Sequence, residues 1–509
     1  MKYGAFDWLA FWDSLSMNFI SLLFLAFAAL VVALYYLFPK KIRWTVLLAG
    51  SIGFCAVGGW HTVAFPCLMA LVAYFAAIVI EGTERKQRKN RRLVLTIGAL
   101  ILIGTLAIIK INGLIKWEAG KFIFPMGISY YTFSLVAYIA DVYWGKDKAE
   151  KNYFKLLLFA LFFPKILQGP IARHKTLGPQ LVKGNSFDSK ACIAGIQLMI
   201  WGYFKKMVIG DRLVMFTSTV FASYDKLGGG ILLLNAVLSA FQLYADFSGC
   251  IDIARGLSQM LGITLEKNFD RPFSSRSAAE LWRRWHITLG AWFKDYVMMP
   301  LAISPKLIKF CNTVGKRFGK RTVKALMTII PTLIVWLLTG IWHGTGINYV
   351  LWGVYWAILM IVSSVFAPEI AKLAKLFRID TTKESWKKFQ VVRTFLLFCG
   401  GRVISTMPTP AAMGEYFARI FTKPQLWQFF DGTLFAQGLS ELEFAISVVL
   451  VGLLIAVSCM QAKKSVRETI DGWNVVFRCA IYALALVLIF VFGIYGPSFN
   501  ASSFAYMNF

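Results

Sequence analysis

Of the four histidines in this 509-residue chain, two stand where an imidazole has chemical use. His343 lies in Gly340-Ile-Trp-His-Gly-Thr-Gly346, between two long apolar runs and among the glycines at 340, 344 and 346. Glycine lets other groups approach closely and lets a helix open. An imidazole kept from water stays neutral and can accept a proton from a hydroxyl. His343 is therefore a candidate general base; the bland alternative is a structural hydrogen-bonding histidine. His286 closes the run Leu-Trp-Arg-Arg-Trp-His (281–286). The residues leave two readings open there: a working histidine, or an interfacial one beside Trp282 and Trp285 that is satisfied by water. Arg283 and Arg284 have a simple alternative role, holding a membrane interface with their heads in water. His174, in "GPIARH", reads as a loop histidine, and His61, in "GGWHT", as an outer-turn residue without a role.

The densest polar cluster inside apolar sequence runs from Gln242 to Tyr296. Polar groups are expensive in a membrane, so their clustering marks a site. Asp246, Ser248, Asp252 and Arg255 lie along one otherwise apolar helix. Asp252 and Arg255 are three apart and can pair on one face. Asp246 and Asp252 either orient a histidine or pair with arginines. Asn268 opens "NFDRPF", an extended turn set by Pro272. Ser277 is placed to cap a new helix, with Glu280 three residues on to complete a capping box. The eight cysteines are scattered singly without metal-type spacing. They indicate neither a disulfide framework nor a metal site, and no bound cofactor is expected.

The elements that must position these groups are membrane helices. The chain is 58% hydrophobic and 16% charged, with mean hydropathy +0.62, where a soluble domain is about a quarter charged. Charge-poor runs recur at Phe19 to Phe38, Leu93 to Ile109, Ala325 to Trp342, Tyr349 to Phe366, Phe444 to Met460 and Cys479 to Phe492. Each is about the length that crosses a hydrocarbon core as a helix. The fold class is all-α, polytopic and membrane-embedded, with about eleven membrane elements, some short or re-entrant. One hairpin candidate spans 153–174, where Pro164, Lys165, Gly169 and Pro170 do not suit a lipid-facing helix. Residues 1–16 mix Trp8, Phe11 and Trp12 with Asp7 and Asp13 and read as an outer interfacial segment, not a signal peptide.

The net charge of +28 would suggest nucleic acid in a soluble protein. Here the cations gather in short loops, at 39–43, 84–92, 305–324, 372–388 and 463–467, as loops retained on the cytoplasmic side do. Placing all five inside gives an even number of spans between each pair that can be counted. That orientation puts both termini and the loop 408–441 on the outer side. No internal repeat of the kind that builds transporters appears.

At these residues the sequence resembles the membrane-bound O-acyltransferases, in the bacterial branch of alginate O-acetyltransferase and teichoic-acid D-alanyl transferase. Four motifs carry the likeness: "LQGPIARH" (167–174), "YADFSGCIDIARGLSQMLG" (244–262), "NFDRPFSSRSAAELWRRWHITLGAWFKDYVMMPL" (268–301) and "GIWHGTGINYVLWG" (340–353). The resemblance implies helices ringed around a thin core with a funnel, His343 as catalytic histidine and His286 as its family partner. It implies a cytoplasmic thioester donor, acetyl-CoA or another acyl thioester, and an outer hydroxyl acceptor on a cell-envelope polysaccharide. It also implies an outer O-acyltransferase partner and a location in the bacterial inner membrane. Asn268, His286 or backbone N–H groups near Gly344 would support the oxyanion, and Trp282, Trp285 and Trp342 would shape the tunnel. The final residues end in Phe504, Tyr506 and Phe509, like the aromatic C-terminus of the polysaccharide acetyltransferases. By that likeness Tyr506 is an acyl relay; an interfacial anchor is the alternative. The expected division is 17–110 as N-terminal spans, 111–366 as catalytic core, and 367–509 as C-terminal spans with the tail 498–509. Two departures stand out: "MPLAISPK", where a Gly-Gly is usual, and "CGGRVIST", a loose form of an aromatic–Arg pair. The competing readings are D-alanyl transfer to teichoic acid from an aminoacyl carrier protein, and a transporter or flippase without acyl chemistry.

Overall fold

The structure, a computed structural model, describes residues 19–115 and 127–494, the side chains of 60, 61 and 112–115 aside. The described chain is helical throughout, and its sole strand-like feature is one antiparallel bridge between Phe269 and Trp285. Eight helices among the described residues are long and apolar enough to cross a membrane: Thr62–Gly82, Arg88–Ile111, Ser189–Ala222, Gly229–Met260, Lys320–His343, Ile347–Val365, Glu441–Met460 and Val475–Phe492. A helix also forms in the expected run Phe19 to Phe38, as Leu22–Leu37, and two further helices, Arg43–Ala56 and Glu384–Thr406, are shorter or more charged. The two long helices Ser189–Ala222 and Gly229–Met260 lie in the stretch the hydropathy pattern left uncounted. Their charged residues interrupt the apolar signal there.

The helix ends follow local chemistry. Ser440 caps Glu441–Met460 in a full capping box with Glu443, and Ser21 and Asn474 cap Leu22–Leu37 and Val475–Phe492. Each cap satisfies donors that the first helical turn leaves over.

The chain divides into two compact units. The first comprises, of the described residues, 19–115, 127–203 and 249–266. Within it the expected hairpin is a broken element: helices Tyr153–Leu161 and Phe163–Ile166, an irregular turn, then His174–Val182. Every residue from 156 to 172 is buried, the condition under which broken backbone is tolerated at membrane depth. Small residues permit the closest contacts. A Cβ on Gly195 would lie 2.5 Å from the Gly256 carbonyl oxygen, and one on Gly202 would lie 2.7 Å from that of Gly249, the small-residue crossing expected of membrane helices.

The second unit comprises residues 204–248 and 267–494. Its most intimate helix pair is Lys320–His343 against Ile347–Val365. Gly340 faces the Tyr349 carbonyl, and a Cβ on Gly353 would lie 2.5 Å from the Trp336 carbonyl oxygen. A π-helical segment, Phe204–Gly210, carries two buried lysines. Lys206 Nζ bridges Asp211 at 2.6 Å and Asp246 at 2.5 Å, all three nearly sealed from solvent. Lys205 Nζ donates to Ser248 Oγ at 2.9 Å. Two cations and two carboxylates thus share one interior. The end of the last described helix is tied to the same segment: Arg212 donates to the Phe492 carbonyl at 2.7 Å, and the Ile494 N–H to the Met207 carbonyl at 3.1 Å.

Two stability tests follow from these contacts. Gly353→Ala forces its methyl against backbone and should destabilise by about 1–3 kcal/mol, read as a lower melting temperature of the detergent-solubilised protein. Lys206→Met leaves two carboxylates buried without their shared cation. It should cost about 3–5 kcal/mol, seen as loss of the monodisperse peak on size exclusion, with partial recovery in Lys206→Met/Asp246→Asn.

Candidate active site

The candidate site lies in the second unit and is built where two helices end. His343 is the last residue of Lys320–His343, and the chain turns through Gly344 and Gly346 before Ile347 begins the next helix. A side chain on Gly344 would collide with the Tyr349 ring, so the glycine is what allows this close reversal. His343 is 5% exposed. Its ring centroid is 4.7 Å from that of Trp342 and 5.0 Å from that of Trp352.

His286 occupies a second reversal, between the helices Ala278–Arg284 and Ile287–Phe293, with φ 46°. Left-handed backbone at a non-glycine costs of the order of 1–3 kcal/mol and persists only where surroundings over-determine it. The surroundings here are a short antiparallel pairing. Asp270 N–H donates to the Arg284 carbonyl at 3.0 Å, and Ile287 N–H to the Asn268 carbonyl at 3.0 Å, on either side of the Phe269–Trp285 bridge. His286 is 2% exposed, which replaces the interfacial reading with a buried one. Burial pushes its imidazole down to about 3, so it is neutral at physiological pH. Its ring lies 4.9 Å from Phe247 and 5.8 Å from Trp342. Trp342 therefore touches both histidines.

Asn268 takes over a task His286 does not perform. His286 holds the N-cap position of Ile287–Phe293 without a side-chain cap. Asn268 Oδ1 instead accepts from Thr288 N–H at 3.1 Å and from Thr288 Oγ at 2.6 Å. Ser277 caps Ala278–Arg284 as the sequence suggests. Glu280 departs from the expected box: it accepts from Arg276 N–H at 2.8 Å and pairs with Arg284 at 2.7 Å.

The tryptophans form two walls. Trp282 meets Trp336, Trp352 and Trp356 at 4.9, 5.4 and 4.9 Å between centroids. Trp285 is fully buried against Phe269 at 5.0 Å and Phe398 at 4.8 Å. The large rings exclude water and make a low-dielectric setting in which a hydrogen bond or partial charge counts for more.

The other sequence candidates divide. Asp246 pairs with Lys206, a lysine the sequence reading did not single out. Asp252 pairs with Arg255 at 3.3 Å in the first unit, as the three-residue spacing suggests. His174 is not a loop histidine. It opens the helix His174–Val182, is buried, and its Nδ1 lies 2.9 Å from Asp147 Oδ2; the partner is 27 residues away, which local sequence does not reveal. The lysine pair was missed although "WGYFKKMVIGDRL" (201–213) advertises it: adjacent cations inside an apolar run are the signal. Residues 1–16, Tyr506 and the rest of the aromatic tail lie outside the described residues, as does the side chain of His61.

Known proteins resemble this chain in sequence. The family model described as MBOAT, membrane-bound O-acyltransferase family, matches residues 149–315. The protein named "probable alginate O-acetylase AlgI" of Pseudomonas fluorescens is 30% identical over 402 residues, covering 78% of this chain and 74% of that protein. The peptidoglycan O-acetyltransferase of Helicobacter pylori is 30% identical over 369 residues, 65% of each chain. The teichoic acid D-alanyltransferase of Bacillus subtilis is 32% identical over 247 residues, 47% of this chain and 59% of that one. With its membrane helices and the match across the polar cluster, this chain belongs to the membrane-bound O-acyltransferase family and is a multi-span membrane O-acyltransferase.

Proposed function

We propose that the protein moves an acetyl group from a cytoplasmic thioester, with acetyl-CoA as the favoured donor, toward a hydroxyl of a cell-envelope polysaccharide, with His343 as general base. The observation that carries this reading is the setting of His343: a buried imidazole at a helix end, walled by Trp342 and Trp352, with His286 against the same Trp342. The acceptor oxygen bonds to the thioester carbonyl carbon as its proton passes to His343. Collapse breaks the carbon–sulphur bond, and the imidazolium returns the proton to the leaving thiolate. General-base help of this kind is worth roughly 10²–10⁴-fold. His286, held neutral, acts as a hydrogen-bonding or shaping group, not as a charge.

The polysaccharide class rests on relatives whose names give alginate and peptidoglycan O-acetylation. D-alanyl transfer to teichoic acid is the second reading, favoured by the Bacillus subtilis relative. The alginate match reaches over 78% of this chain against 47% for that relative, which favours acetyl. Donor and acceptor then meet from opposite sides, because a thioester carrier is too polar to cross while an acetyl group is small. In this reading the basic loops face the cytoplasm and both termini and 408–441 the outer side of a bacterial inner membrane, as the excess of Lys and Arg in short loops favours. The outer loop, with Phe421, Trp427 and Phe430 strongly exposed, is the docking surface for an outer O-acyltransferase partner. Tyr506 serves as the relay: its phenol oxygen takes the acetyl from sulphur and gives it to the outer acceptor. Ile494, the last described residue before the tail, is hydrogen-bonded to the Met207 carbonyl in the buried segment Phe204–Gly210.

Transfer of label from [14C]acetyl-CoA to envelope polysaccharide should fall at least ~10²-fold in His343→Ala at unchanged expression and monodispersity; undiminished transfer ends the base assignment. Tyr506→Phe should abolish any trapped acetyl-tyrosine in quenched samples, detected by peptide mass spectrometry, and stop transfer to polymer. Full turnover by the Phe variant removes the relay and leaves the base untouched.

A further inference from the structure

The carboxamide of Asn268 has two ends, and the protein uses only one. Oδ1 is fixed by Thr288, whose backbone N–H and hydroxyl both reach it. The backbone N–H can only donate, so the atom facing it is the oxygen and the orientation of the amide is settled. The other end, Nδ2, is buried and has no hydrogen-bond partner among the described residues, in a residue 1% exposed.

Capping the Ile287–Phe293 helix does not explain that amide. Asp, Ser and Thr cap as Asn does, through an accepting oxygen. Asparagine alone among them adds a rigid two-proton donor, and burying a donor without an acceptor opposes folding. A buried unmatched donor in a native structure calls for a missing acceptor, a ligand or an ordered water. Its position is informative. The Asn268 carbonyl accepts from Ile287 N–H, one residue after His286, so the amide is fixed to the same short pairing that forces His286 into its left-handed turn.

We propose that Asn268 Nδ2 donates to the thioester carbonyl oxygen of the bound acyl donor and to the oxyanion that develops from it. This rests on the acyl-transfer reading above. A donor aligned before reaction needs no reorganisation when negative charge appears on the oxygen. The tether through Thr288 supplies that alignment. The bond from Nδ2 forms to the carbonyl oxygen and strengthens as the acceptor hydroxyl adds; no proton is transferred by Asn268.

The test separates donation from capping. Asn268→Asp keeps the accepting oxygen over Thr288 and removes the NH₂. Expected, at a pH where the carboxyl is ionised, are a folded and monodisperse protein with a lowered melting temperature, unchanged affinity for S-ethyl-CoA, which has no carbonyl, and kcat for acetyl-CoA lower by ~10²–10³-fold. S-acetonyl-CoA carrying a ¹³C carbonyl is bound but cannot be cleaved. Its infrared stretch should lie below the frequency in water in the wild type and return toward the unbonded frequency in Asn268→Asp. Thr288→Val leaves Asn268 intact and removes its shorter tether, so a smaller change in the same direction is expected. A wild-type stretch at the unbonded frequency, or full kcat in Asn268→Asp, overturns the assignment and makes Asn268 a cap. Where Asn268→Asp cannot be purified, a stretch in folded Thr288→Val identical to wild type overturns it as well. His343→Ala, assayed alongside, keeps the two readings apart. An active His343→Ala sinks the base reading itself, whereas an inactive His343→Ala with an active Asn268→Asp sinks only this one.

Discussion

A chain that lives in hydrocarbon must satisfy its own polar groups, and most of this architecture can be derived from that constraint. Backbone that stays helical meets it automatically. Backbone that does not must be enclosed by protein. The breaks in the described chain obey this rule: the turn after Leu161 is buried residue by residue, and the reversals at His286 and Gly344 lie among tryptophans and phenylalanines. The same rule governs charge. Lys205 and Lys206 appear in the interior only with Asp211, Asp246 and Ser248 within reach. Buried ions with their counter-ions are weak evidence for stability in themselves; here they also cross-link separate stretches of the second unit.

Irregular backbone and the candidate site coincide for a physical reason. A straight membrane helix presents side chains but hides its polar atoms in its own ladder. A site that must hold a neutral imidazole, a carboxamide and unsatisfied donors near one another needs chain ends and turns. His343 terminates a helix, His286 is the hinge between two short ones, and Asn268 begins the strand-like pairing that braces the hinge. The left-handed φ of His286 is sustained by that pairing and by burial against Phe247. Rigidity is thus placed where alignment matters.

Sequence carried the membrane class well and singled out two histidines that the fold buries, because each leaves a local signal. Hydropathy runs mark spans directly, and a histidine between glycines in apolar sequence is conspicuous. The Asp252–Arg255 pair and the Ser277 cap were legible because their partners are three residues apart. What sequence hid was long-range pairing. His174 and Asp147 are 27 residues apart, and Lys206 and Asp246 are 40 apart by number and meet only through packing of separate helices. The long helices Ser189–Ala222 and Gly229–Met260 were obscured by the very charges that the fold pairs internally. Glu280 shows the finer limit: the capping-box spacing was right for Ser277, yet Arg284 one turn on and Arg276 N–H were the better partners for its carboxylate.

Trp342 couples the two histidines through packing. Its indole lies against both rings, at 5.8 Å from His286 and 4.7 Å from His343. A shift in either imidazole therefore meets a large side chain that is itself 6% exposed and cannot yield toward water. Close-packed interiors transmit such displacements because voids are scarce. His286 lowered far below neutrality by burial brings no charge to this arrangement, and its contribution is one of shape and hydrogen bonding. In the proposed mechanism the chemistry then falls to His343 as the base, and the surrounding rings would keep that base dry and fixed in orientation.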